Sequence, residues 1–122
     1  MITEDYVSFE VAKLLKEKGF GWECCGRYSV RSKEFHLDCT RRCNNSGLFE
    51  YAAPTHQMAM KWLMGKYNII FVFKPASFSG DNCTSWTYEL WCGDNFEGEI
   101  LSFKTYEEAV EAALKYSLEN LI

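Results

Sequence analysis

Tyr51-Ala52-Ala53-Pro54-Thr55-His56-Gln57-Met58-Ala59-Met60-Lys61-Trp62-Leu63 is the stretch on which the fold turns. A helix begins at Pro54 or Thr55, because proline is tolerated in a first turn, where its missing amide would have no partner anyway. Met58, Ala59, Trp62 and Leu63 fall on one helical face, widened by Met60, Met64 and Tyr67, so this helix is expected to be well buried. Gly65 and Asn68 weaken its end. The stretch holds no nucleophile, acid–base pair or metal ligand set. It specifies how a helix is seated, and says nothing of a reaction.

Upstream, residues 8–18 read as a first helix. Ser8 can cap it by accepting a bond from a free amide of the first turn. Phe9, Ala12 and Leu15 share a face, widened by Val11 and Leu14, and Gly19 can end the helix in a left-handed turn. Phe20 to Ala52 reads as β-structure, with Tyr28-Ser29-Val30 and Phe35-His36-Leu37 forming a hairpin across the polar Arg31–Glu34. Thr40 to Gly47 is a polar loop. Leu48-Phe49-Glu50-Tyr51 is either a short strand or the run-in to the next helix.

Downstream, the apolar run Ile69 to Phe73, closed by Lys74-Pro75, predicts a central strand. Ser77 to Ser85 is expected to be a loop. Trp86 to Cys92 alternates, with Trp86, Tyr88 and Leu90 on one face and Trp91 on the other; after a turn at Gly93-Asp94-Asn95, Glu99 to Phe103 returns. Thr105-Tyr106-Glu107-Glu108 is a capping box opening a last helix, whose inner face is Val110, Ala113, Leu114, Ser117, Leu118 and Leu121. Glu111 and Lys115 stand at the favourable i, i+4 spacing. The order α-ββ-α-β-ββ-α predicts an α+β fold: one domain over residues 1–122, an antiparallel sheet of four to five strands with three helices mainly on one face.

A net charge of −4 leaves little with which to neutralise phosphates, and the densest basic cluster is Lys33 with Arg41-Arg42. General nucleic-acid binding is therefore not expected. No apolar run reaches the ~18 residues of a membrane span, and Met1-Ile2-Thr3-Glu4-Asp5-Tyr6 lacks the basic start and apolar core of a secretion signal. A cytoplasmic setting follows as the expectation, with the six cysteines as reduced thiols. The 20 aromatic side chains are core filler first, but in so small a chain some must reach the surface, where they can anchor a partner.

The candidate sites are few. Cys39-Thr40-Arg41-Arg42-Cys43 and the adjacent Cys24-Cys25 suggest free, partly buried thiols; a zinc alternative would use Cys24, Cys25, Cys39 and Cys43, with His36 as a further ligand. His56 reads as a surface residue near a helix start. No glycines flank a serine or cysteine as a nucleophile elbow would require, and phosphate-cradling patterns are absent. Gln57, Lys61, Arg41, Arg42 and Trp91 are the candidate binding residues; Trp62 reads as core. No catalytic residue, metal or cofactor is expected.

Three stretches resemble a family of small uncharacterised proteins found in phages and mobile elements of Bacteroides-type gut bacteria. They are Tyr51–Leu63, the tail Tyr106–Lys115 with Leu118-Glu119-Asn120-Leu121-Ile122, and the opening Ile2–Phe9 with Ala12–Phe20, a little over a third of the chain. The chain departs from the family at Met64-Gly65, where relatives tend to carry Arg-Glu. The resemblance implies a bacterial or viral setting and brings no assigned activity. The expected function is a non-enzymatic accessory module that binds a protein partner or a second copy of itself. The alternative is a zinc- or nucleic-acid-associated factor using the Cys39–Cys43 loop.

Overall fold

The computed structural model describes residues 5–96 and 99–122, and the backbone alone at 99–101. The architecture is α+β, as the order of elements predicts, but with two antiparallel sheets where one was expected. The chain expected as one domain over 1–122 divides by its internal contacts into two compact units, Met1–Ala59 with Ile122 and Met60–Leu121.

In the first unit, α1 (Phe9–Glu17) starts where Ser8 accepts a bond from the Val11 amide at 3.3 Å. It stops at Gly19, whose φ of 90° lets the Phe20 amide turn back to the Leu15 carbonyl at 2.9 Å. Its inner face of Val11, Ala12 and Leu15 is buried with Val7, Phe20, Ala52 and Ala53. The sheet runs β2-β1-β3, from β1 (Gly26–Ser29), β2 (Phe35–Leu37) and β3 (Glu50–Ala53). The expected hairpin forms with Tyr28 opposite Phe35, and Leu48–Tyr51 resolves into a strand from Glu50 onward. Phe9 packs its ring against Tyr28 and Tyr51 at 5.7 and 5.4 Å.

Gly26 lies where strand backbones crowd. A Cβ built there would stand 2.7 Å from the Ala53 carbonyl oxygen and 2.9 Å from the Phe35 ring. The ring can swing away, but the backbone oxygen cannot. Gly26→Ala is expected to destabilise the chain by about 1–3 kcal/mol, and a urea midpoint unchanged from wild type would show that the sheet yields at this point.

One expectation fails at the start of α2 (His56–Tyr67). His56 is not a surface residue; it is only 7% exposed. Its backbone is paired there with residues 5–7: Tyr6 bridges Thr55, the Val7 amide donates to the Pro54 carbonyl at 3.0 Å, and the His56 amide donates to the Asp5 carbonyl at 2.9 Å. Trp62 and Leu63 are buried as their spacing predicts.

In the second unit, α2 ends at Asn68, whose φ of 58° supplies the left-handed turn. β4 (Ile69–Ser79) and β5 (Asn82–Cys92) then form a long hairpin; β6 (Asn95–Phe96) and β7 (Glu99–Phe103) both pair with β5. β4 is therefore an edge strand among the described residues and not a central one, and it runs on through Pro75. An edge tolerates proline because its outward N–H is not needed by a neighbour. The ladder shifts register between Pro75 and Phe78 and then re-forms, so Ser77–Ser85 is the end of a hairpin and not a loop. Gly80, at φ 65°, makes the tip.

α3 (Tyr106–Tyr116) follows Thr105, whose hydroxyl accepts from the Glu108 amide at 3.1 Å. Ala109, Val110, Ala113 and Leu114 are buried. Tyr106 sets its ring against Phe73 and Trp86, at 5.2 and 5.4 Å. A π-helical turn, Ser117–Leu121, extends the helix with Ser117 and Leu118 buried; the Ser117 hydroxyl donates to the Ala113 carbonyl at 2.8 Å.

Candidate functional site

The loop between β2 and β3 is irregular but pinned. Cys43 stands directly opposite Cys24 in an antiparallel bridge, each amide donating to the other's carbonyl at 2.8 Å. Asn45 adopts φ 65° and works as a staple: its side-chain Nδ2 donates to the Phe20 carbonyl at 2.9 Å, and its side-chain Oδ1 accepts from the Ala52 amide at 2.7 Å. Lys16 reaches over from α1 to donate to the carbonyls of Gly47 and Glu50. Asp38 accepts both the hydroxyl and the amide of Thr40, at 2.6 and 3.0 Å, and this pairing holds its carboxyl below the ordinary aspartate value. The backbone of residues 38–50 is thus tied down by polar contacts at several points.

What this scaffold leaves outside is apolar. Leu48 is 82% exposed and Phe49 66%. Beside them a groove of about 380 Å³ is lined by Arg41, Arg42, Leu48, Phe49 and Glu50 among others. A smaller hollow of about 270 Å³ shares Phe49 and Glu50 and adds Arg27, Ser29 and His36. The register explains the grouping. Arg27 lies opposite His36, and Ser29 opposite Glu50, so these four side chains project from one face of the sheet.

Glu50 is the electrostatic hinge of the groove. One oxygen lies 3.4 Å from Arg27 Nε and the other 3.5 Å from Arg41 Nη2, while Arg27 Nη1 donates to the Arg41 carbonyl at 2.9 Å. Arg42 lies 3.8 Å from Glu23. Ser29, His36 and Glu50 share a hollow, yet they do not make a nucleophilic triad. Among the described residues no hydrogen bond joins Ser29 to His36, and Glu50 turns both oxygens to arginines where a triad would have it orient the imidazole.

The cysteines correct the sequence expectation. Cys25 and Cys39 are joined in a disulfide and are not reduced thiols; Cys24, Cys43, Cys83 and Cys92 are free. The four-cysteine zinc set is not assembled, because two of its members are bonded to each other. Among the described residues no three His, Cys, Asp or Glu side chains are grouped as metal ligands. Burial, with the nearby Cys43 adding to it, pushes the Cys24 thiol up to about 12, the opposite of an activated nucleophile.

Of the residues singled out from sequence, Arg41 and Arg42 line the groove. Gln57 is exposed on α2 and does not line it; Lys61, also exposed, and Trp91 belong to the second unit. Trp91 stands on a sheet row between Ile70 on β4 and Phe96 on β6, with its ring 5.2 Å from that of Phe96. Ile70 and Phe96 are exposed. Sequence reasoning missed Arg27, Leu48, Phe49 and Glu50. The available signal was an apolar pair placed directly after the polar Thr40–Gly47 segment.

No helix among the described residues is long and apolar enough to cross a membrane. Compared with protein-family models, with curated proteins and with solved structures, the chain finds no match in any of the three.

Proposed function

We propose that this protein is a non-enzymatic interaction module, a small accessory protein of a phage or mobile element that acts in the cytoplasm of a bacterial host. The observation that carries the reading is the pinned loop that holds Leu48 and Phe49 in solvent beside an arginine-lined groove. Large apolar side chains this exposed on a rigid support are favourable anchors, and arginine and aromatic residues dominate binding energy at protein interfaces. The matching partner is a protein segment that offers an apolar side chain to Phe49 and a carboxylate to Arg41 and Arg27, in exchange for Glu50. A nucleic acid is a poorer match, because the chain as a whole is acidic and offers few basic side chains to a run of phosphates. In a reducing cytoplasm the Cys25–Cys39 bond would be a transient, regulated cross-link and not a permanent one.

Truncating Phe49 and Arg41 tests the reading. Phe49→Ala with Arg41→Ala changes exposed side chains, so stability should stay within about 0.5 kcal/mol of wild type. A partner retained from host extract by the wild-type protein should bind the double variant at least about 30-fold more weakly, the loss expected of hot-spot residues. Equal retention by both proteins, or a monomer that retains nothing, would sink the proposal.

A further inference from the structure

We infer that Cys24 and Cys43 are a second disulfide site, closed by a low-molecular-weight disulfide of the glutathione type, and that closing it clamps the Arg41–Arg42 loop at both ends. The two residues lie directly opposite each other and exchange both backbone hydrogen bonds at 2.8 Å. An antiparallel pair bonded in this way holds its Cα atoms about 5.5 Å apart and turns both side chains to one face. A disulfide spans Cα separations of about 4.4–6.8 Å. The Cβ atoms of such a pair start about 5.5 Å apart and must close to about 3.5–4.5 Å. The strands therefore draw together slightly, and the Cys24 thiol leaves the Trp22 carbonyl and the Met58 sulfur, which it meets at 3.4 and 3.8 Å. Both thiols are enclosed, at 3% and 8% exposure, and Cys24 sits close enough to feel Cys43 electrostatically.

The arrangement along the chain gives the site its meaning. Cys24 and Cys25 are neighbours, and the residues they face, Cys43 and Cys39, bracket Thr40-Arg41-Arg42. One rung, Cys25–Cys39, is present; the second would tie the other end of the same three-residue loop to the adjacent position. That the bond forms does not depend on the proposed binding role. Only its consequence for partner binding at the groove rests on that reading.

The chemistry balances as two exchanges. Cys43, the more exposed of the pair, attacks the small disulfide as its thiolate, forming a mixed disulfide and releasing one small thiolate. Cys24, held as a thiol by burial, then loses its proton and attacks the Cys43 sulfur, expelling the second small thiolate. The protein dithiol is oxidised by two electrons, one small disulfide is reduced to two thiols, and the two protons pass to the released thiolates.

The test uses the full chain with Cys25–Cys39 intact, incubated with oxidised glutathione in native buffer, then unfolded, alkylated and mapped. Cys24 and Cys43 should leave the alkylatable set together, as a peptide joining the two, whether or not the more exposed Cys83 and Cys92 take up glutathione. Cys24→Ser should stop at the mixed disulfide on Cys43. Tryptic cleavage after Arg41 and Arg42 should slow about tenfold on oxidation, because cleavage there needs local opening of the loop. Cys24 and Cys43 still open to alkylation, or linked to other cysteines, would overturn the site; an unchanged cleavage rate would overturn the clamp.

Discussion

Phe20→Ala is expected to lower the stability of the first unit by about 3–5 kcal/mol, the range for deleting a fully packed aromatic ring. The ring is 1% exposed, and the residue occupies the exit of α1. Gly19 turns the chain there, the Phe20 amide closes onto Leu15, and the Phe20 carbonyl takes the side-chain Nδ2 of Asn45. The substitution keeps those backbone bonds but removes the apolar body against which the helix end is seated. Loss of the ring should therefore also loosen the Asn45 staple and, through it, the loop that presents Leu48 and Phe49. Urea titration should show the wild-type midpoint falling by more than about 1 M, given a slope of about 1–3 kcal/mol per molar for a small protein. If the two units unfold separately, only the transition of the first should move. A loss under about 1 kcal/mol would mean that the ring is not packed as described.

Elements whose signals are local were legible in the sequence. Ser8 and Gly19 bound α1, Thr105 and Glu108 open α3, and the alternation at Tyr28–Val30 and Phe35–Leu37 is a hairpin, because each signal sits within a few residues of what it specifies. The misreadings all depend on partners distant in the chain. His56 is buried where the chain pairs with a segment about fifty residues upstream, a pairing that no helical periodicity reports. Pro75 looked like a strand end because sequence cannot tell an edge from a centre. The stretch Ser77–Ser85 is too polar to announce a strand, yet β5 supplies it with a ladder.

The candidate site shows the same division more sharply. Arg41 and Arg42 drew notice as a local basic pair, whereas Arg27, His36 and Glu50 meet them only through the register of β1 with β2 and β3. The cysteine pairing is also a matter of register. An adjacent pair, Cys24-Cys25, can meet Cys39 and Cys43 in more than one way, and spacing alone does not choose among them.

Cys25→Ser with Cys39→Ser should cost about 3 kcal/mol, the chain-entropy value for a closed loop of about 15 residues; the two cysteines are separated by 14 positions. The contacts left to hold the loop, the Cys24–Cys43 and Asn45 hydrogen bonds among them, are present in wild type and variant alike and do not offset that loss. Arg27 and Arg41 with Glu50, at 3.4 and 3.5 Å, are partly solvated ion pairs worth about 0–1 kcal/mol each, and Arg27 donating to the Arg41 carbonyl adds about 0.5–1.5 kcal/mol at most. Chemical denaturation should therefore place oxidised wild type well above the double variant, with wild type in excess dithiol moving down to meet it. That convergence separates the cross-link from any other effect of the substitutions, since the reduced wild type keeps both sulfurs. Because Cys39 is the first residue of the Arg41–Arg42 loop, the same loss should appear as faster tryptic cleavage after those arginines. Oxidised and reduced wild type with equal midpoints would show that the bond constrains nothing the native contacts do not already fix, and the argument for a loop governed by its cysteines would fall with it.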